Sequence, residues 1–222
     1  MEAAQPQIGL HLSAQELSRL FASARENPNP DKALRDWALL AFLYGTGLRI
    51  SEVLNLKLDA VEYEGEALPT AVRITAKGNV ERLIHLSATA QPALYQWLKV
   101  RRLHLKHDSP WVFVHLNSGV PLPVRTVQAM MQRVGARAGL LKARRTPHKL
   151  RHSFATALVN AGRPLEEVQE ALGHTDSNVT RRYARLHRSR LKAADAAGRD
   201  VDRAHRRRKA PHTSCATPTP RH

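Results

Sequence analysis

The chain has 222 residues, 42% of them hydrophobic, which suffices for one domain with a substantial core. No apolar run approaches the ~20 residues that a membrane-spanning helix needs. Residues 1–10 lack the basic start and apolar stretch of a signal peptide, so we expect no membrane association. With Cys215 as the one cysteine, no intrachain disulfide can form, and we expect a cytoplasmic protein.

The net charge narrows the choice of partner. Thirty-five Lys and Arg against nineteen Asp and Glu give a net charge of +16. From Arg181 to the end, thirteen Lys and Arg against three Asp give +10 of it. A chain this basic attracts polyanions, of which nucleic acid is the commonest large one inside cells. The composition therefore favours DNA or RNA binding and says nothing about catalysis.

The first 56 residues predict three helices. Ser13 and Glu16 have the spacing of a capping box, and Asp31 is placed to cap the second helix. In chain order we expect a lead-in over residues 1–12, a helix over Ala14–Ala24, an apolar core helix that is broken at residues 45–47, and a short helix over residues 51–56.

The hydrophobic period then changes to that of strands. Residues 71–75 and 82–86 alternate or carry β-branched side chains, which predicts an antiparallel β-hairpin with Lys77 beside its turn. A further short strand is expected over residues 111–115. Helices are expected over residues 89–105 and 124–138.

In the last third of the chain, residues typical of helix starts and helix ends mark the boundaries of the helices. Thr146 is a candidate N-cap, and Pro147 takes the first helical position, where its missing N–H costs nothing. The helices expected here run from Pro147 to about residue 161, over Leu165–Leu172 up to Gly173, and from an Asp176 cap onward through Tyr183.

Together these elements predict an α+β fold, mostly α-helical with a small antiparallel sheet. Residues 13–197 would form one domain and residues 198–222 a basic tail. Within the tail, the Arg-rich and then Pro-, Thr- and Ser-rich composition predicts disorder over residues 206–222.

Several polar residues, each unremarkable alone, could together act on a phosphodiester. His148 and Arg151 lie three apart at a helix start, where the partial positive charge suits a phosphate. Metal-free attack on a phosphodiester needs a nucleophile, fixed cations around the non-bridging oxygens, and a proton donor for the leaving oxygen. Arginine suits phosphate because its planar fork makes two parallel bonds. The candidates for these tasks are Arg49, Lys77, His148, Arg151, His174 and Tyr183.

Four separated motifs resemble those of the tyrosine recombinases, the phage-integrase family. They are TGLRISE at residues 46–52, AKGNVER at 76–82, TPHKLRHSFAT at 146–156, and LGHT at 172–175 before Tyr183. Their order also matches, and the resemblance covers roughly residues 10–190. Such a set of separated motifs is highly specific. It implies the catalytic-domain fold of these DNA-breaking and rejoining enzymes.

The resemblance implies how the scissile phosphate would be held. Arg49, Arg151 and His174 match the family residues that bind and polarise it. Glu52 would hold the arginines in position without contacting the phosphate itself. Arg181, Arg182 and Arg185 are further candidate DNA-binding residues.

The resemblance also implies how bonds would be exchanged. Tyr183 would attack the phosphorus, leaving a 3′-phosphotyrosyl link and a free 5′ hydroxyl. Lys77 would protonate the departing 5′ oxygen, and His148 would assist proton transfer around the tyrosine. Neither a metal ion nor ATP would be needed, and we expect no cofactor. The expected partners are double-stranded DNA and further copies of the chain, as a tetramer on paired sites.

Some alternatives stay open at the level of sequence. Relatives usually carry a separate helical DNA-gripping domain before this point, so the chain is either a truncated piece or a short single-domain recombinase of the fimbrial-invertase type. A type IB topoisomerase-like enzyme would share the chemistry. A non-catalytic DNA-binding regulator would use residues 165–183 as a helix–turn–helix. The motif set favours the recombinase, without telling integration from excision, inversion or resolution.

Overall fold

The computed structural model describes residues 11–65, 68–75 and 81–173. The chain divides into the units Met1–Thr175 and Asp176–His222, and every described residue belongs to the first. Its elements are α1 (Ala14–Ala24), α2 (Pro30–Thr46), α3 (Ile50–Leu54), β1 (Val61–Tyr63), β2 (Pro69–Thr75), β3 (Glu81–His85), α4 (Ala90–His104), α5 (Val124–Arg137), α6 (Pro147–Asn160) and α7 (Leu165–Leu172). The predicted α+β class, mostly helical with a small antiparallel sheet, is confirmed.

The caps of the first two helices show one correct and one wrong prediction. The Ser13 hydroxyl accepts the Glu16 N–H and the Glu16 carboxylate accepts the Ser13 N–H, so the predicted capping box begins α1. The prediction that Asp31 caps α2 is wrong, because Asn29 does so by accepting the Lys32 N–H at 2.9 Å. Since Pro30 is suited to the first helical position, the cap falls on the residue before it.

Helix α2 is the apolar core helix that the sequence predicts. Its Phe42 lies 5.8 Å from the ring of Phe113, and Phe113 in turn stacks on Trp97 of α4. The helix ends at Gly47, whose backbone is left-handed with φ of 63°. A Cβ at this position would lie 2.2 Å from Cδ1 of Phe154 on α6, so the backbone of α2 approaches α6 closely where Arg49 follows.

The small sheet has the order β1-β2-β3 and is antiparallel throughout. Strands β2 and β3 form the predicted hairpin, with Val72 opposite Ile84 and Ile74 opposite Arg82. Strand β1 was not predicted, because its three residues are too few to show a period. The turn of the hairpin, including Lys77, lies outside the described residues.

The predicted strand over residues 111–115 is wrong. Trp111 and Val114 make isolated bridges only, to Lys57 and Pro121 respectively. The backbone of this segment forms hydrogen bonds with two different parts of the chain. The Val112 N–H donates to the carbonyl of Leu56, and other backbone hydrogen bonds join the segment to residues 120–122. Buried side chains follow one another at residues 112–114, so the apolar run reflects burial on both faces rather than a strand.

Helix α6 contains the second arginine motif, and α7 ends at the start of the LGHT segment. Thr146 occupies the predicted N-cap position with extended backbone, although its side chain makes no capping hydrogen bond. Pro147 begins α6 as expected, and α7 covers the predicted Leu165–Leu172 and ends at Gly173. No helix in the described part of the chain is long and apolar enough to span a membrane.

Candidate active site

Arg49 and Glu52 are held together by the first turn of α3. Arg49 occupies the N-cap position, and its backbone N–H donates to Oε2 of Glu52 at 2.7 Å. Its Nη1 donates to Oε1 of the same carboxylate at 3.4 Å. An acidic residue three places after an N-cap reaches back to the cap in this way, which is why the spacing of the motif produces the contact. Glu52 therefore holds both the backbone and the guanidinium of Arg49.

A second arginine binds the same carboxylate. Arg82 on β3 places its Nη2 3.0 Å from Oε1 of Glu52, and its side chain is 18% exposed. From the sequence, Arg82 is a strand residue and the last residue of the motif at 76–82, with no role predicted for its own side chain. The available signal was alternation: Arg82 and Ile84 are half-buried in β3, while the side chains between and beside them are exposed.

Arg151 connects two segments that are distant in sequence. It is buried in α6, where its Nη1 donates to the carbonyl of Gly47 and its Nη2 to the carbonyl of Leu172, both at 2.6 Å. Gly47 comes two residues before Arg49, and Leu172 two residues before His174. Two bonds to fixed carbonyls define the plane of the guanidinium. His148, near the start of α6, is exposed.

Gly173 brings the end of α7 against β3. Its φ is 69°, a conformation that side chains other than glycine rarely adopt. A Cβ here would lie 2.5 Å from Nη1 of Arg82, so the guanidinium lies directly against the glycine backbone. The backbone conformation thus favours glycine at this residue, and a side chain here would displace the Arg82 guanidinium.

Part of this set borders an open cleft of about 1740 Å³, whereas the buried Arg151 and the exposed His148 are not among its lining residues. Arg49, Glu52, Arg82 and Gly173 are all among its lining residues. Thr75 and Glu81, the described residues on either side of the hairpin turn, also line it. The described residues nearest in sequence to Lys77 and His174 therefore border the cleft that holds Arg49. No three His, Cys, Asp or Glu side chains in the described ranges are grouped as metal ligands.

The remaining site predictions concern residues outside the described ranges. They are Lys77, His174, Tyr183, Arg181, Arg182 and Arg185. Of the six predicted catalytic residues, the described ranges contain Arg49, His148 and Arg151, together with the predicted supporting residue Glu52.

Comparison with known proteins identifies the family of the chain. The phage integrase family matches the chain over residues 11–190. The tyrosine recombinase XerC of Proteus mirabilis is 37% identical over 198 residues, covering 86% of this chain and 61% of the relative. XerC of Actinobacillus pleuropneumoniae is 36% identical over 183 residues, 82% of this chain and 56% of the relative. The chain thus spans little more than half the length of these curated relatives.

Solved structures give the same result for the fold. The site-specific recombinase XerH, in a post-cleavage complex with a palindromic difH substrate, superposes with a TM-score of 0.69 at 29% identity, over 84% of this chain and 52% of that one. The recombinase XerA superposes with a TM-score of 0.69 at 27% identity, over 90% and 67%. The fold is that of tyrosine recombinase catalytic domains. By sequence and by fold, this chain belongs to the phage integrase family.

Proposed function

We propose that this chain is the catalytic domain of a site-specific recombinase that cuts and rejoins DNA through a covalent bond to Tyr183. One observation carries the proposal: Arg151 donates to the carbonyl of Gly47, within the Arg49 motif, and to the carbonyl of Leu172, two residues before His174. Three motifs far apart in sequence are thereby joined at one place. Membership of the phage integrase family supports the same conclusion.

In this proposal the scissile phosphate is bound by Arg49, Arg151 and His174. The two carbonyl bonds of Arg151 and the carboxylate contact of Arg49 fix these guanidinium groups before DNA arrives. Fixed donors need no reorganisation as negative charge develops on the phosphate oxygens, and this preorganisation is a large contribution to catalysis.

Tyr183 and the proton donors then replace the ester bond between phosphorus and the 5′ oxygen with a phosphotyrosyl ester bond. The Tyr183 oxygen bonds to phosphorus as the bond from phosphorus to the 5′ oxygen breaks, giving a 3′-phosphotyrosyl link. The tyrosine proton passes to a base, assisted by His148, because a free phenol with a pKa of about 10 is mostly protonated at neutral pH. Lys77 gives a proton to the 5′ oxygen. Rejoining reverses each transfer with another 5′ hydroxyl, so the step consumes neither ATP nor a metal-bound water.

The proposed partners are double-stranded DNA and other copies of the chain. The relative XerH was solved on a palindromic substrate, and a palindrome offers two equivalent half-sites. Two such sites brought together would engage four protomers, and Arg181, Arg182 and Arg185 would add DNA contacts beside the nucleophile.

Trapping the covalent intermediate tests this proposal. A binding site is first selected from a random duplex library with the chain itself, and versions with a nick at successive positions are then prepared. When cleavage occurs close to a nick, the short fragment diffuses away and the protein stays linked. We expect an SDS-resistant adduct with the wild-type chain in EDTA, and none with Tyr183→Phe at equal DNA binding. A chain that binds the site and forms no adduct at any nick position contradicts the proposal.

The same preparation separates the two enzymatic alternatives. A recombinase exchanges strands between two plasmid-borne copies of the selected site. Relaxation of supercoiled plasmids without any exchange product would instead indicate a type IB topoisomerase-like activity.

A further inference from the structure

We propose that Arg82 is a positioning residue that keeps the positive charge of Arg49 available to the scissile phosphate, acting through their shared partner Glu52. This inference rests on the proposed function and adds a residue to the machinery that the six catalytic candidates form.

The first support is the sharing of one carboxylate oxygen. Nη2 of Arg82 lies 3.0 Å from Oε1 of Glu52, and Nη1 of Arg49 lies 3.4 Å from the same atom. The shorter contact belongs to the more buried arginine: the Arg82 side chain is 18% exposed and that of Arg49 is 33% exposed. Arg82 is therefore the principal partner of Oε1, and Arg49 is the more accessible cation.

The charge of this cluster follows directly. Arg49 and Glu52 alone would form a neutral pair that has little attraction for an anion. With Arg82 the three groups carry a net charge of one positive unit at neutral pH. In addition, Arg82 draws Oε1 into its own hydrogen bond, so the carboxylate is less able to close on Arg49. Removing Arg82 would leave Glu52 to neutralise Arg49, and phosphate binding would weaken.

The second support is the backbone of Gly173. Its missing Cβ leaves the space that Nη1 of Arg82 occupies, 2.5 Å from where that atom would be. Arg82 is thus fixed by Glu52 of α3 and by the end of α7 together. Because Gly173 directly precedes His174, the same guanidinium touches the segment that leads into another proposed phosphate ligand.

A third observation is that Arg82 has donors that the described residues do not satisfy. Its Nε and Nη1 are buried without a hydrogen-bond partner among the described residues. Unpaired buried donors are unfavourable and rare in folded proteins, so this arginine is an unusual choice for a purely structural contact. Orienting the Glu52 carboxylate is a role that explains its position.

A competing explanation is that Arg82 merely anchors the hairpin that carries Lys77. Arg82 lies on β3, one residue into the strand that follows the hairpin turn. These two explanations predict different chemical rescues. A methylphosphonate at the scissile position removes the phosphate charge and with it the need for a net positive cluster. A 5′-bridging sulfur makes a leaving group that needs no protonation, and so bypasses Lys77.

The test compares Arg82→Gln and Arg82→Lys with Arg133→Gln. Arg133 donates to Asp36 at 3.4 Å, is exposed, and does not line the cleft, so its variant loses the same charge elsewhere. Single-turnover cleavage is measured at saturating protein on the nicked site with a normal phosphate, a methylphosphonate or a bridging sulfur. On normal DNA we expect Arg82→Gln to be slower by about ten- to a hundredfold, less than the roughly hundred- to thousandfold loss that follows outright removal of a preorganised donor. Arg133→Gln should match the wild-type rate.

On the methylphosphonate substrate, the cleavage rate of Arg82→Gln should come close to that of the wild-type chain. On normal DNA, Arg82→Lys should retain most of the wild-type rate because it keeps the charge. If Arg82→Gln does not fold, the weaker Arg82→Lys defect is compared across the same substrates. An equal defect on all three substrates would show a purely structural role and overturn the proposal. Rescue by bridging sulfur alone would assign Arg82 to the hairpin and overturn it too. Failure of the wild-type chain to cleave would contradict the proposed function itself.

Discussion

Replacing Arg151 with lysine should separate phosphate positioning from DNA binding. In the structure its two terminal nitrogens donate to the carbonyls of Gly47 and Leu172, both at 2.6 Å. Lysine keeps the charge but carries it on one nitrogen at the end of a flexible stem, so it cannot span both carbonyls in one plane. The variant should therefore lose at least one hydrogen bond from a charged donor to a buried carbonyl.

The expected magnitude follows from that loss. A hydrogen bond to a charged group contributes about 1.5–3 kcal/mol to the free energy of unfolding. At roughly 2–4 °C per kcal/mol for a domain of this size, the melting temperature should fall by about 3–12 °C. Loss of the fixed fork at the phosphate should raise the barrier to cleavage by about 2.7–4 kcal/mol, which is roughly a hundred- to a thousandfold slower reaction.

The assay is single-turnover cleavage of the nicked site well below the melting temperature, with DNA affinity measured by fluorescence anisotropy. Arg101→Lys is the matched control, because Arg101 is a buried arginine that also donates to two backbone carbonyls, those of Ser109 and Trp111, and belongs to none of the recombinase-like motifs. Both variants should lose stability, and only Arg151→Lys should lose cleavage. A cleavage rate within tenfold of wild type, or equal losses in both variants, would refute this reasoning.

The remaining predictions concern the cleft and the pH dependence of folding. Gly173→Ala should lower the free energy of unfolding by about 1–3 kcal/mol through backbone strain, as measured in urea, and should also slow cleavage by displacing Arg82. Gly139 has the same backbone conformation, with φ of 70°, but open space around it, so Gly139→Ala should lose stability without losing cleavage. Lys77→Ala should cleave normal DNA slowly and a bridging-sulfur substrate at nearly the wild-type rate; a defect on both would exclude it as the acid. Burial and nearby cations lower the pKa of His115 below 6.5. The unfolded chain therefore takes up the proton first, and stability falls as the pH drops below 6.5. His115→Asn should show a smaller fall in melting temperature between about pH 7 and 5 than the wild-type chain, and an equal fall would contradict this cause.

The features of the fold and the site that could be predicted are those that depend on residues close together in the sequence. The capping box of α1, the glycine at the end of α2 and the boundaries of α7 depend on residues within one helical turn of each other. The contact of Arg49 with Glu52 is of the same kind, since a three-residue spacing at a helix start is enough to make it.

What escaped prediction depends on contacts between distant segments. Glu52 and Arg82 are thirty residues apart, and their bond depends on how the hairpin lies against α3. Likewise, the buried run at residues 112–114 is apolar because two different segments cover it, a condition that periodicity does not encode. The two carbonyls that orient Arg151 are backbone groups, which no side-chain motif can reveal.

The central claim is that Tyr183, Arg49 and Arg151 act on the same phosphodiester. Its most direct test is to digest the trapped protein–DNA adduct with protease and nuclease and to locate the attached nucleotide by mass spectrometry. The account predicts a nucleotide joined through its 3′ phosphate to the oxygen of Tyr183, and no adduct from the Arg151→Lys chain on the same time scale. Attachment to another residue, or through a 5′ phosphate, would contradict it.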